Sequence, residues 1–285
     1  MPLIPFFCKI PLSNNNNMAS SKKAIVNALT AHALVGAPKV TALRTTKETF
    51  NLSDNELEWA LEACNFNEPP NKINYEKFFY NNITRIAKKV DNPNIQLYYL
   101  DNFITQTDCQ LLRGYIDQTA QPSTLHNAGS KNDERTRRET ERSSSQVLID
   151  WRNNPFFNYI DRKLAEAVQL HPFSGEGMTG QKYEIGEFYV RHPDYFIDED
   201  IETYCTWMGQ RTWTTMLYLN DVEEGGETQF PNLNIKMKPK EGTLLAWNNL
   251  YIDGTSNPNT LHEALPPKSG KKYIITKWWR SWNLI

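Results

Sequence analysis

The feature that most constrains this 285-residue chain is a series of short β-strand patterns that begins near residue 181. Clusters of glycine, proline and asparagine separate the strands, as expected where strands are joined by turns. Helical patterns precede them. Many short strands after helices predict an α+β fold in which helices support an antiparallel barrel or jelly roll. The predicted strands are 182–191, 212–219, 234–239, 243–247 and 273–280.

The first third of the chain has a different sequence pattern. Residues 1–19 include four consecutive asparagines, and such a low-complexity polar tract predicts a disordered leader. A helical pattern fills residues 20–92 and ends in an Asp-Asn-Pro-Asn turn. Residues 93–285 carry the strand patterns. We therefore expect three parts: a leader, a small helical region and one large domain.

Two helices can be placed in the N-terminal region. Ser53 and Glu56 have the spacing of a capping box, which predicts a helix through Cys64. Apolar residues between Phe79 and Val90 recur at helical spacing and predict a second helix. We expect these helices to pack on the main domain or on a dimer partner. A targeting or protein-binding module is the alternative.

Charge and hydropathy argue against several classes of protein. The formal net charge is −2, so no basic face is expected and nucleic acid is a poor partner. No apolar run approaches the roughly 20 residues that span a bilayer, and the apolar start lacks the features of a signal peptide. The four cysteines form no C-x-x-C pair, which argues against a zinc cluster and favours a reducing compartment. We expect a cytoplasmic protein without a membrane partner.

The tripeptide His192-Pro193-Asp194 is the first candidate for a metal site. Residues two apart on a strand point to the same face, so the imidazole and the carboxylate can converge on one ion. Proline cannot donate a backbone hydrogen bond, so this strand is expected at an edge or to be irregular. His262 precedes another predicted strand and can complete a site of two histidines and one carboxylate. That donor set leaves open positions and suits iron(II) and oxygen activation.

Lys272 narrows the chemistry of this site. It lies ten residues after His262, at the start of a strand. A cation there can pair with the far carboxylate of a ligand whose other end chelates the metal. The dicarboxylate 2-oxoglutarate is such a ligand, and a salt link is strong in a partly dry pocket when both sides are hydrogen-bonded.

The order of these motifs resembles that of a known family. From about residue 100 to residue 282 the chain is similar to the prolyl 4-hydroxylase group of the iron(II)/2-oxoglutarate oxygenases. The resemblance implies a double-stranded β-helix, or jelly roll. The matching segments are Arg142-Ser143-Ser144, Tyr183 to Asp194, Arg211, Tyr218 to Thr228 with Phe230-Pro231, Pro239 to Gly242 with Trp247-Asn248, and His262-Glu263, Gly270, Lys272, Lys277 and Trp278.

The resemblance also implies a reaction. The expected enzyme is a dioxygenase that hydroxylates an unactivated C–H bond with iron(II), 2-oxoglutarate and O2, with L-ascorbate as reductant. A prolyl residue of a peptide or protein is the expected substrate. The implied roles are iron binding for His192, Asp194 and His262, 2-oxoglutarate binding for Lys272 and Tyr183, and substrate contact for Arg211 and Trp278, with the three iron ligands and Lys272 as the catalytic set. Core packing is the alternative for Trp278.

Two departures from the family pattern bear on the substrate. The position two after Trp278, often histidine in members that act on peptides, is Arg280. Residues 195–210 lie where the family has a substrate-covering loop, and they are unusually acidic. That composition favours a basic substrate, or else marks a solvated surface. The acidic residues are Asp198, Glu199, Asp200 and Glu202.

Two further functions compete with peptide hydroxylation. The same chemistry could act on a free amino acid or another small metabolite, particularly if residues 195–210 close the pocket. A non-catalytic binding protein could use the same scaffold. Proteins of that kind usually lose the metal triad or the lysine, and this sequence retains both.

Overall fold

The computed structural model describes residues 18–34, 37, 39–64, 66, 72–123, 141–197 and 199–282, and excludes the side chains of residues 18–21, 34 and 199. The predicted leader lies outside the described residues up to residue 17, and the first helix begins at Met18. Among the described helices, none has both the length and the apolarity needed to cross a membrane.

Five helices open the described chain, helices and short strands follow, and strands dominate the second half. The helices are α1 (Met18–Leu34), α2 (Lys39–Phe50), α3 (Asp54–Cys64), α4 (Glu76–Phe79), α5 (Ile83–Ile86), α6 (Gln106–Thr119), α7 (Pro155–Val168) and α8 (Glu199–Tyr204). The strands are β1 (Lys88–Lys89), β2 (Leu97–Leu100), β3 (Gln121–Pro122), β4 (Ser145–Ile149), β5 (Met178–Tyr183), β6 (Tyr189–His192), β7 (Arg211–Tyr218), β8 (Thr228–Phe230), β9 (Ile235–Met237), β10 (Leu244–Asn248), β11 (His262–Ala264) and β12 (Lys272–Arg280).

The strands form two antiparallel sheets. The larger sheet has the order β1-β2-β10-β7-β12-β5-β4-β3, and the smaller has the order β6-β11-β8-β9. An apolar cluster lies between them, to which the large sheet contributes Met216 and Trp247 and the small sheet Phe230. Because neighbouring residues of a strand point to opposite faces, every second residue of β7 and β12 faces this inner layer. Lys272 and Trp278 therefore share the inner face of β12.

Helices cover the outer face of the large sheet. Helix α7 starts at Pro155, and the Asn154 side chain caps it by accepting hydrogen bonds from the amides of Phe156 and Phe157. Its apolar face packs with α6 against outward-facing residues of β7, β10 and β12, among them Leu217 and Ile275. This core fixes the large sheet, and the opposite face of the sheet is left for the site.

The N-terminal helices pack on the main domain, as one of the two sequence-based expectations had it. The capping box at Ser53 is formed, because the Ser53 amide donates to Glu56 Oε2 at 2.8 Å and the Glu56 amide donates to Ser53 Oγ at 3.3 Å. Trp207 and Met208 of the main domain are buried in one apolar cluster with Ala33 of α1 and Ala42 of α2.

The single helix predicted between Phe79 and Val90 is wrong. The chain forms two short helices, α4 and α5, and then the two-residue strand β1, which pairs with Tyr98 and Tyr99 of β2. The break falls at Asn81 and Asn82, where the Asn81 carbonyl accepts from the Thr84 hydroxyl at 2.8 Å. Asparagine is a weak helix former, and the pairing of β1 with β2 then overrides the apolar periodicity.

The strand predicted over 182–191 is two strands of different sheets. β5 ends at Tyr183, and β6 begins at Tyr189. Between them Gly186 has a φ of +82°, a conformation that glycine adopts without steric cost. The turn moves the chain from the large sheet to the small one, and it places Tyr183 and His192 on the two sides of the inner layer. The other predicted strands agree with the structure to within about two residues, the usual uncertainty of element ends.

Candidate active site

The three residues of the proposed triad lie together between the two sheets. His192 and His262 are direct cross-strand partners in the pair β6–β11, and their ring centroids are 4.4 Å apart. Asp194 follows the end of β6, and its Oδ2 lies 3.7 Å from His262 Nε2. One ligand atom of each residue falls within 4.8 Å of the others, so the three could hold a single metal ion. Strand β6 is an edge strand, as Pro193 predicted.

Both imidazoles are oriented by backbone carbonyls. His192 Nδ1 lies 2.8 Å from the Val190 carbonyl oxygen, and His262 Nδ1 lies 2.9 Å from that of Thr260. A carbonyl can only accept, so Nδ1 carries the hydrogen in each ring and Nε2 keeps its lone pair for a metal. Burial lowers the pKa of His192 to about 3, with His262 contributing, which keeps this ring neutral as a metal ligand must be.

The carboxylate of Asp194 is held in place by the side chains of Thr214 and Asn249. Thr214 of β7 donates its hydroxyl to Asp194 Oδ2 at 2.6 Å, and Asn249 donates to Thr214 Oγ1 at 3.0 Å. All three are buried. Burial alone would raise the pKa of Asp194, but the two histidines and the Thr214 hydroxyl outweigh it and hold the pKa below its usual range. The aspartate is therefore an anion with a fixed orientation.

Lys272 is a buried cation that lacks a carboxylate partner among the described residues. It is fully shielded from solvent, and its nearest hydrogen-bond partner is Thr228 Oγ1 at 3.5 Å. Its Nζ also lies 5.3 Å from the centre of the Tyr183 ring and 5.8 Å from that of Tyr218. Burial lowers the pKa of Lys272 to about 7. An anion bound here would supply the missing partner, which fits the distal carboxylate of 2-oxoglutarate.

Two aromatic residues lie beside Lys272 and His262. Tyr183 is the cross-strand partner of Lys272, and its hydroxyl donates to Gln181 Oε1 at 2.9 Å. Burial raises the pKa of Tyr183, so the phenol stays protonated. The Trp247 ring lies 4.8 Å from His262, and its indole N–H is buried without a partner among the described residues. This indole N–H could donate to a polar ligand bound beside His262.

The two predicted substrate-contacting residues lie beside Asp194. The Arg211 guanidinium stacks over the Trp278 ring at 4.1 Å and donates to the Asp194 carbonyl at 3.2 Å. Arg211 is also bound in a bidentate ion pair to Glu176, with both N···O distances 2.7 Å. Arg280 donates to the same carboxylate at 2.7 Å. Burial would raise the pKa of Glu176, but the two arginines outweigh it and keep it ionised.

Comparison with known proteins agrees with this geometry. The family model for the 2OG-Fe(II) oxygenase superfamily matches residues 178–280. Prolyl 4-hydroxylase 13 of Arabidopsis thaliana is 30% identical over 208 residues, which cover 66% of this chain and 72% of the relative. Probable prolyl 4-hydroxylase 10 of the same plant is 31% identical over 211 residues, covering 66% and 69%. This chain belongs to the prolyl 4-hydroxylase family. It is a 2-oxoglutarate-dependent dioxygenase.

Solved structures of prolyl hydroxylases share the fold. The viral collagen prolyl hydroxylase vCPH from Paramecium Bursaria Chlorella virus-1, solved as a 2OG complex, superposes with a TM-score of 0.51 at 27% identity, covering 65% of this chain and 95% of that one. A prolyl hydroxylase from Trichoplax adhaerens, solved with a hypoxia inducible factor peptide, gives a TM-score of 0.51 at 18% identity over 78% of this chain and supports the fold alone. The predicted jelly-roll oxygenase fold is confirmed.

Membership of this prolyl 4-hydroxylase family implies iron(II), 2-oxoglutarate and O2 as cofactor and cosubstrates. The residues present fit them, since the donor set suits iron(II) and Lys272 needs an anion.

Sequence reasoning missed Glu176, Thr214 and Asn249. Thr214 had a signal, because its alternation with Met216 on β7 places it on the inner face. Glu176 lies in a loop, and only the fold brings it to the two arginines.

Proposed function

We propose that this chain hydroxylates prolyl residues of a peptide or protein, with iron(II) held by His192, Asp194 and His262. The observation that carries the proposal is the meeting of this triad with the unpaired, buried Lys272 between the two sheets. Relatives named prolyl 4-hydroxylases, matched over two thirds of this chain, support the choice of substrate class. They do not favour the small-metabolite alternative.

The protein's own part in this chemistry is to bind and orient. Lys272 and Tyr183 would hold the distal carboxylate of 2-oxoglutarate, by a charge-assisted bond and a phenolic hydrogen bond. His192, Asp194 and His262 would hold the iron, and a set of two histidines and one carboxylate would leave room for the oxo-acid end of 2-oxoglutarate and for O2. When bound, the iron supplies the oxidising chemistry that converts a C–H bond to C–OH as 2-oxoglutarate becomes succinate and CO2. Arg211 keeps Asp194 in place through its backbone carbonyl.

Several finer assignments belong to the same proposal. Residues 93–285 would be the oxygenase domain, and residues 20–92 a helical addition to it. Ascorbate would act as reductant, keeping the iron in its ferrous state. A peptide or protein would be the partner during turnover. Location in the cytoplasm stays a prediction from the sequence.

The proposal is tested by product analysis. The full-length protein is incubated with iron(II), 2-oxoglutarate, ascorbate and air, together with proline-rich peptides, free proline or free lysine in separate reactions. Mass spectrometry should find a gain of about 16 Da in a proline-containing peptide, the mass of one oxygen atom incorporated on hydroxylation. Modification of a free amino acid without any peptide product would reject prolyl hydroxylation and keep the oxygenase chemistry. A protein that releases no succinate with any substrate would instead support the non-catalytic alternative.

A further inference from the structure

The segment that links Asp194 to β7, residues 195–210, is fixed at both of its ends. The Gln210 side chain accepts from the Phe196 amide and donates to the Phe196 carbonyl, both at 2.8 Å. The Phe196 ring stacks on Tyr204 of α8, with centroids 5.2 Å apart and planes 8° apart. The same ring carries the guanidinium of Arg211 at 4.6 Å. We call residues 195–210 the connecting segment; residue 198 in it lies outside the described residues.

The inner side of the connecting segment is bound to Arg280. This arginine is fully buried and donates to the backbone carbonyls of Tyr204 and of Gly209, the second at 2.7 Å. Its third contact is Glu176, which binds Arg211 as well. Arg280 therefore stabilises the backbone of the segment instead of projecting into open space. The Glu176 carboxylate thus links Arg280, which binds the connecting segment, to Arg211, which donates to the Asp194 carbonyl.

The outer side of the connecting segment is covered by the N-terminal helices. Trp207 and Met208 are buried with Ala33, Ala42 and the partly buried Phe66, which meets the Trp207 ring edge-on at 5.3 Å. The backbone of this stretch is also close to the end of the chain. The Trp207 carbonyl accepts from the indole N–H of Trp282 at 2.7 Å, and Gly209 has a φ of +74°.

Inner and outer supports act on the same few residues. Arg280 binds the carbonyls at 204 and 209, and the N-terminal cluster buries the side chains at 207 and 208. The connecting segment leaves directly from Asp194 and returns directly into Arg211, so its position sets one wall beside the metal site. Lys272 is at the other end of β12, eight residues from Arg280, or about 26 Å along an extended strand. The wall is therefore remote from the 2-oxoglutarate end of the pocket.

We propose that helices α1–α3 are a substrate-positioning element: they hold the connecting segment from outside, as Arg280 holds it from inside, and so set the affinity for the peptide substrate. The inference rests on the proposed function, and it gives helices α1–α3 a role in that function. Arg280 is then a positioning residue for the wall. Loosening the outer support should weaken peptide binding and leave 2-oxoglutarate binding unchanged.

The test uses two matched substitutions in the full-length protein. Phe66→Ala removes a ring that meets Trp207 and also packs against the N-terminal region's own core. Phe50→Ala removes a ring that packs against that core alone, which contains neither Trp207 nor Met208. Hydrogen exchange of the backbone amides of residues 201–210 reports on the wall without any turnover. Steady-state kinetics gives KM for a proline-rich peptide, KM for 2-oxoglutarate and the peptide-independent release of succinate.

Phe66→Ala should speed amide exchange in residues 201–210 and raise the peptide KM by about fivefold or more, since small misplacements of a positioning wall weaken productive binding. Its 2-oxoglutarate KM and peptide-independent succinate release should stay within about twofold of wild type. Phe50→Ala should change none of these. Phe66→Leu keeps most of the apolar contact and should restore the peptide KM.

Three results would overturn the inference. The first is faster exchange in Phe66→Ala with an unchanged peptide KM, which would show that the wall does not position the substrate. The second is an equal rise of the peptide KM in Phe50→Ala and Phe66→Ala, which would reduce the effect to general stability. The third is unchanged exchange in Phe66→Ala. A wild-type protein without turnover would instead refute the proposed function. Hydrogen exchange of residues 201–210 in Phe66→Ala and Phe50→Ala would still show whether the N-terminal helices hold the connecting segment.

Discussion

Thr214 donates its hydroxyl hydrogen to Oδ2 of Asp194 at 2.6 Å, and Asn249 in turn donates to the Thr214 hydroxyl. These hydrogen bonds join β7 to the residue that follows β6, so they tie the carboxylate of Asp194, a candidate metal ligand, to the larger of the two sheets. Hydrogen bonds of this kind orient a ligand before the metal binds, and removing them lowers the affinity for the metal.

Replacing Thr214 by valine should weaken metal binding. Valine keeps the shape of threonine but cannot donate, so Asp194 loses its orienting bond. We expect the dissociation constant for Mn²⁺ or Fe²⁺ to rise by about 10-fold or more, in the range found for such partners of metal ligands. Calorimetric titration under anaerobic conditions measures it. Thr214→Ser retains the hydroxyl and should bind metal as wild type does; equal affinity in the valine and serine variants would contradict the assigned role.

Replacing Lys272 by methionine should raise the KM for 2-oxoglutarate. A charge-assisted hydrogen bond contributes roughly 1.5–3 kcal/mol, which corresponds to a rise of about 10- to 100-fold. The neighbouring Lys271 is a matched control, because its side chain is 48% exposed and pairs with Glu184 at 3.0 Å on the surface. Lys271→Met should leave this KM unchanged. Similar effects of the two substitutions would exclude Lys272 as the specific anchor.

The affinity for 2-oxoglutarate should depend on pH through Lys272. Burial lowers the pKa of this lysine to about 7 in the ligand-free protein, and a bound carboxylate favours the protonated form. Binding therefore takes up a proton once the pH exceeds about 7. Affinity should be constant below that value and fall above it, by up to about 10-fold per pH unit until the pKa of the complex is reached. Calorimetry from pH 6 to pH 9 measures the trend.

A Lys272→Arg variant supplies the control for this pH dependence. Arginine stays charged throughout the interval, so its 2-oxoglutarate affinity should not fall between pH 7 and pH 9. If the arginine variant and the wild type follow the same curve, a group other than Lys272 is responsible.

The ion pair of Asp161 and Lys277 should be a large contributor to stability when only one partner is removed. Both side chains are fully buried, and Lys277 Nζ lies 2.5 Å from Asp161 Oδ1. Asp161→Asn leaves a buried lysine without its counter-charge, which costs about 3–5 kcal/mol of unfolding free energy. Chemical denaturation measures it. Asp150→Asn, at a position paired with Arg152 on the surface, should change stability by less than about 1 kcal/mol.

The double substitution Asp161→Leu with Lys277→Met is the internal check on this pair. It removes both charges together and should recover most of the stability that Asp161→Asn loses, because no uncompensated charge remains. A double variant that is less stable than Asp161→Asn would assign the effect to packing instead of charge.

The sequence could predict what depends on spacing along the chain. The alternation of side chains along a strand predicted that His192 and Asp194 point to one face, and their pattern together with His262 indicated a candidate metal site. In the structure His262 is the cross-strand partner of His192. The single helix expected between Phe79 and Val90 is wrong, because asparagine is a weak helix former and the pairing of β1 with β2 outweighs the apolar periodicity.

Features that depend on the meeting of distant segments could not be read from the sequence. Glu176 lies 35 residues from Arg211 and 104 from Arg280, and no motif joins them. No motif joins Phe66 to Trp207 either, although their rings are in contact. Arg280 departs from the family pattern, and no spacing along the chain predicts its hydrogen bonds to the carbonyls of Tyr204 and Gly209. Of the acidic residues after Asp194, Asp198 lies outside the described residues, so the prediction of a basic substrate stays open.

The assignment of iron to His192, Asp194 and His262 is tested by comparing wild type with His192→Ala in a coupled measurement of succinate release and peptide hydroxylation. The wild type should release succinate and add one oxygen atom to a prolyl residue in parallel. His192→Ala should lose both activities and also lose stoichiometric metal binding, since two ligands cannot form the triad. Unchanged turnover in His192→Ala would contradict the central claim that His192, Asp194 and His262 hold the catalytic iron.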